Sequence, residues 1–168
     1  MKQLIISGLV AITLSLPVSY ADQSTSPKFK DYRVSSVYRG PTATLKQDNE
    51  DSRMFRTRLQ DALSGPVSIA GEYVMALWGC GTSCLHGGLV SKKTGKAVLF
   101  PWSICCWSGE GDNLFTRPNS RLFVVGGKLG EGDNVETGGI HGAHFYEFTG
   151  TEFKYIKSIA VPEVTYTD

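Results

Sequence analysis

The chain has 168 residues, 41% of them hydrophobic and 20% charged, with 17 Lys and Arg against 16 Asp and Glu. So even a charge balance excludes the strongly basic surface that nucleic-acid binding requires, and it excludes electrostatic docking on an anionic membrane. The length admits one domain and not comfortably two.

Residues 1–21 read as a cleaved secretory signal peptide. Lys2 supplies a positive start, Leu4 to Leu16 is apolar except at Ser7, Gly8, Thr13 and Ser15, and Pro17 breaks the helix. Ser19-Tyr20-Ala21 then offers the small-x-small pattern of a cleavage site. The apolar stretch is shorter than the roughly 20 residues a membrane span needs, so no stable membrane insertion is expected after cleavage. Residues 22–168 are expected to form a single disulfide-braced, β-rich domain in the periplasm or outside the cell. Lys2 is the only charged residue of the leader, so its loss brings the formal charge of the domain from +1 to zero. Recognition is then left to shape and local patches.

After a polar stretch over 22–31, the alternation of Tyr32, Val34 and Ser36 with Arg33 and Ser35 predicts a short strand ending at Arg39-Gly40-Pro41. Asp51 or Ser52 can cap one amphipathic helix whose apolar face is Phe55, Leu59, Ala62 and Leu63, and Gly65-Pro66 stops it. Beyond Gly65 the chain reads as strand and turn. Strands are predicted over Glu72–Trp78 and His86–Ser91, with a turn at Lys93–Lys96 and a further strand over Ala97–Phe100. Residues 107–119 and 130–139 read as loops, on either side of a strand from Arg121 to Val125 closed by Gly126-Gly127. A last hairpin pairs Ala143–Phe148 with Phe153–Ile159. Phe145, Glu147 and Thr149 fall on one of its faces, and Tyr146 and Phe148 on the other.

Fifteen of the 19 glycines lie between Gly71 and Gly142, a density that suits tight turns and curved antiparallel sheet. The expected fold is mainly β, a curved antiparallel meander or sandwich with one amphipathic helix. The alternative is a small propeller-like fold, although no exact repeat supports it.

Cys80, Cys84, Cys105 and Cys106 form an even set, which in an exported chain implies two disulfides. The local pairing, 80–84 with 105–106, forms most easily but requires a vicinal bridge. The crossed pairings tie the two loops together with less strain. Both remain open. Paired cysteines with C-x3-C spacing make poor nucleophiles, even with His86 two residues beyond Cys84.

Trp78, Trp102 and Trp107 each lie within a few residues of a cysteine. With Thr82 and Ser83 they form the candidate binding surface, for another protein or a cell-wall glycan. The competing role for the tryptophans is core packing over the disulfides. His141 and His144 point to opposite faces of an extended strand, so no metal site is expected from them with His86, and no cofactor motif is present. No spacing selects a catalytic pair among the loop carboxylates, Glu72 and Asp112 included. The repeated Glu-Gly-Asp-Asn strings at 110–113 and 131–134 lack a full calcium-ligand set and read as turns.

The run from Gly71 to Cys84 has the form G-x-Y-V-x-x-x-W-G-C-G-T-x-C, followed by a K-T-G-K hairpin. It resembles a group of small exported bacterial proteins over about residues 55–160, which implies export and fold without a particular activity. More loosely, the chain is similar to periplasmic lysozyme inhibitors of the Ivy type, β-sheet proteins with a disulfide-closed loop between strands. That family's inhibitory loop is longer and carries a histidine, where this chain has Thr82 and Ser83, so its inhibitory residues do not carry over. The expected function is an exported binding protein, an inhibitor or immunity-type partner of a cell-wall-acting enzyme. A hydrolase or carbohydrate-active enzyme using loop carboxylates is the first alternative, and a structural envelope protein the second.

Overall fold

The computed structural model describes residues 26–107, 112–130 and 137–161. The leader predicted at 1–21 and the string at 131–134 lie outside the described residues, as do Glu110 and Gly111 of the other string. The fold is mainly β. Eight antiparallel strands form one open sheet: β1 (Tyr73–Gly81), β2 (Cys84–Ser91), β3 (Ala97–Leu99), β4 (Ile104–Cys105), β5 (Leu114–Phe115), β6 (Leu122–Leu129), β7 (Gly142–Phe148) and β8 (Phe153–Ala160). The spatial order is β1-β2-β4-β6-β7-β8, with β3 also on β2 and β5 also on β6. A continuous sheet of this kind has no separate blades, so the propeller alternative is not what forms.

The sheet consists of two halves joined by β4. Strand β2 has β1 on one edge, while β3 and β4 share the other. Strand β6 likewise has β7 on one edge and β5 and β4 on the other. The two-residue β4 is therefore the seam, with Cys84 opposite Cys105 and Cys105 opposite Lys128.

The main core lies between the halves and draws on both: Leu89, Phe100, Trp102 and Ile104 meet Phe123, Val125, Tyr146 and Phe148. Period-2 alternation sorts the side chains. Tyr146 and Phe148 enter this core, whereas Phe145 joins Leu122 and Val124 on the outer face, as the hairpin pattern predicts. Val74, Ala76 and Trp78 of β1 face outward against Leu59 and Leu63.

That outer face of β1 is covered by the expected helical segment, which is broken into α1 (Glu50–Met54) and α2 (Arg56–Ala62) at Phe55. Leu59 and Leu63 are buried, and Phe55 stacks on Trp78 with ring centroids 4.6 Å apart. The cap is Asn49, not Asp51 or Ser52. Its Oδ1 accepts from the Ser52 amide at 2.7 Å, and Ser52 Oγ accepts from the Asn49 amide at 3.3 Å. Ser52 is thus the third residue of a reciprocal capping box. Asn49→Ala removes an acceptor for an otherwise orphaned amide and is expected to lower unfolding stability by about 1 kcal/mol in urea titrations.

Three further expectations are corrected. The strand predicted from Tyr32 to Arg39-Gly40-Pro41 does not form, and a 3-10 turn, Phe29–Tyr32, and an isolated bridge between Arg33 and Ser120 are found instead. Phe29 and Tyr32 pack on the Leu122–Val124–Phe145 cluster, and a turn presents both to that surface where alternation would separate them. Strand β5 forms inside the region read as a loop, because Leu114 and Phe115 pair with Val125 and Val124. Gly126 and Gly127 do not end β6, which continues through them to Leu129.

Candidate functional site

At the β1–β2 tip, Gly79–Leu85 carries a register irregularity between Gly79 and Gly81, and the Cys80–Cys84 disulfide closes it. The second disulfide is the vicinal Cys105–Cys106 pair, so the cysteines adopt the local connectivity. The register between β2 and β4 sets the two bridges side by side on one face. Neither disulfide lies in the main core. Cys80 and Cys106 are exposed, and Cys84 and Cys105 are half-buried.

Two non-glycine residues here occupy left-handed backbone conformations, Ser83 at φ 54° and Cys106 at φ 61°. Such conformations cost free energy in an L residue and persist when the surroundings impose them. Ser83 lies inside the ring closed by Cys80–Cys84, and Cys106 is a member of the vicinal ring. An open depression of about 400 Å³ lies beside both bridges, lined by Ser83, Cys84, Leu85, Cys105, Cys106 and Trp107 among others.

The structure divides the predicted surface. Thr82 and Ser83 are exposed at the hairpin tip. Trp107 is half-buried and borders the depression. Trp102 and Trp78 are 1% and 6% exposed and serve as core instead, Trp102 between the sheet halves and Trp78 under the helix. They present no recognition surface. An indole covers enough apolar area to close a gap between layers, and each of these two indoles points into one.

Trp107 lies over Gly126: a β-carbon placed there would come within 2.5–2.8 Å of three indole atoms. The glycine that the sequence suggests as a strand end is instead the seat of this ring. Gly126→Ala is expected to dislodge the indole and narrow or fill the depression. A red-shifted tryptophan emission with little change in far-UV circular dichroism is the expected result, and unchanged emission would refute this seating.

The histidines are held by the fold. His144 is fully buried on β7, with Nε2 2.9 Å from the Gly127 carbonyl and Nδ1 2.7 Å from Ser158 Oγ. The carbonyl can only accept, which assigns the proton to Nε2 and makes Ser158 the donor to Nδ1. Tyr155 completes the chain by donating its hydroxyl to Ser158 Oγ at 3.0 Å. Burial holds the His144 pKa below the ordinary histidine value, and repulsion from His141 adds to this, against hydrogen bonds to the Gly127 and Ile140 backbone. His141 Nε2 donates to the Cys106 carbonyl at 2.6 Å, tying the vicinal pair to the start of β7. His86 lies opposite Trp78, its ring 5.5 Å from the indole, with its pKa also lowered by burial against the opposing pull of Asp51. Among the described residues, no group of three His, Cys, Asp or Glu side chains could hold a metal ion.

The two singled-out carboxylates are kept apart. Glu72 accepts from Ser91 Oγ at 2.7 Å beside the Tyr73–Ser91 end of the β1–β2 ladder, away from the disulfides. Asp112 is exposed beside Asn113, whose carbonyl accepts from the Gly126 amide. What sequence reasoning missed is β4 and its register. A two-residue strand has no periodicity to detect, and the adjacency of four cysteines depends on it. Comparison with protein-family models, curated proteins and solved structures returns no match.

Proposed function

We propose that this protein is an exported binding protein, a partner or inhibitor of a cell-wall-acting enzyme, and that it binds through its disulfide-tied end. The observation that carries this reading is the exposed Thr82–Ser83 tip closed by Cys80–Cys84, next to the vicinal pair and an open depression of about 400 Å³. A loop already held in its conformation loses little entropy on association, so more of its contact energy appears as affinity. Two disulfides fit the oxidising compartment that the apolar leader implies. No helix among the described residues is long and apolar enough to cross a membrane.

The test is a binding titration of the immobilised protein against muramidases, amidases and soluble cell-wall glycan fragments. Binding of one wall-acting enzyme at micromolar or tighter affinity is expected, weakened about tenfold or more by Thr82→Asp, a loss of about 1.4 kcal/mol. Failure to bind any such enzyme would overturn the reading. So would an affinity that Thr82→Asp leaves intact. Binding to glycan alone would replace the enzyme with the wall as partner.

A further inference from the structure

We propose that the four cysteines form a thiol–disulfide exchange site whose substrate is an external dithiol, and whose two-electron-reduced form carries a Cys84–Cys105 bridge across β2 and β4. Three observations support it. Cys84 and Cys105 are directly opposed in the antiparallel ladder, so each half of one disulfide faces half of the other. Directly opposed antiparallel residues have Cα atoms about 4.5–5.5 Å apart, within the range disulfides ordinarily span. Cys106, the exposed member of the vicinal pair, is held at φ 61°, a conformation it can leave once the bridge opens. The depression beside these sulfurs admits an incoming thiol.

The steps balance. A thiolate of the dithiol attacks Cys106 Sγ, the Cys105–Cys106 bond breaks, and Cys105 leaves as thiolate. The second thiol of the reductant, deprotonated, attacks the mixed disulfide at the reductant's own sulfur. Cys106 leaves as thiolate and takes up a proton, and the reductant departs oxidised by two electrons. The Cys105 thiolate then attacks Cys84 Sγ, the Cys80–Cys84 bond breaks, and Cys80 leaves as thiolate and is protonated. The product holds one cross-strand disulfide and two thiols, at Cys80 and Cys106, the two exposed cysteines. Exchange follows thiolate attack on an accessible sulfur, and of the two exposed cysteines Cys106 is the one that borders the depression, which makes it the point of entry.

The experiment uses the full oxidised chain with one equivalent of dithiothreitol, rapid alkylation in acid and mass mapping. Alkylated Cys80 and Cys106 with an intact Cys84–Cys105 bridge are expected as the main two-electron species. Alkylation of Cys105 and Cys106 with Cys80–Cys84 intact would overturn the relay. So would alkylation of Cys80 and Cys84 with the vicinal bridge intact. A second measurement needs no reductant. Cys80→Ser leaves Cys84 as a thiol facing Cys105, so the purified variant is expected to contain Cys84–Cys105 and a free Cys106. A free Cys84 beside an unbroken vicinal pair refutes the exchange. If Cys80→Ser does not fold, the wild-type titration decides alone.

Discussion

Trp102→Ala is expected to lower unfolding stability by about 4 kcal/mol, the largest effect of any single truncation considered for this protein. The indole is 1% exposed and lies where the two halves of the sheet meet, within 5.1–5.8 Å, ring centroid to centroid, of Phe100, Phe123, Tyr146 and Phe153. Truncation forfeits the transfer free energy of the ring and leaves a cavity that four aromatic rings, each packed against others, cannot collapse to fill. For a domain whose total stability is of order 5–15 kcal/mol, such a loss approaches unfolding. Trp102→Phe separates packing from polarity. Trp102 Nε1 is buried with no hydrogen-bond partner among the described residues, so Phe removes an unsatisfied donor along with part of the ring. It is expected to cost about 1–2 kcal/mol. Equilibrium urea unfolding with the disulfides intact measures both variants, and a Trp102→Ala loss under about 1 kcal/mol would remove Trp102 from the core's essential packing.

Acidification is expected to destabilise the fold through His144, and the sign follows from the direction of its shift. Burial lowers the folded-state pKa, so between that value and the ordinary one of about 6.5 the unfolded chain binds more protons than the native one. The stabilisation is therefore complete above about pH 6.5 and is lost as pH falls toward the folded-state pKa, with a slope of at most about 1.4 kcal/mol per pH unit for one group. The structural reason is specific. A proton on Nδ1 removes the acceptor that Ser158 Oγ uses, and Ser158 already accepts from Tyr155. His86, also shifted down by burial, adds to the same trend. His144→Ala is expected to cost about 2–3 kcal/mol at neutral pH, through a small cavity and an unsatisfied Gly127 carbonyl, and to flatten the acid slope. An equal slope in wild type and variant would assign the acid sensitivity elsewhere.

These two residues show how legible the molecule was. His144 and Trp102 could be named from the sequence, and core packing stood there as the competing role for the tryptophans, but the partners of neither residue could be named. Strict alternation in 143–148 placed Tyr146 and Phe148 on one face and Phe145 on the other, and the packing agrees. His144 lies at a position of that alternation which faces inward, and its two partners come from β6 and from β8. Trp78 and Trp102, proposed for a binding rim because cysteines flank them, are core residues because each meets a different layer. Trp78 meets a helix and Trp102 the opposing half of the sheet.

Local chemistry by itself determined a mainly antiparallel β domain, the helix face of Phe55, Leu59, Ala62 and Leu63, and the Lys93–Lys96 and Thr149–Thr151 turns. These depend on neighbours within a few residues: period-2 or helical spacing of apolar groups, and glycine where φ is positive, as at Gly95 and Gly150. Only the tertiary structure decided how the four cysteines pair, that both bridges share a face, which tryptophan borders the depression, and what holds each histidine. The shared face of the bridges depends on β4, two residues that form a strand only because β2 and β6 offer their edges. No sequence window contains the partners that make it one.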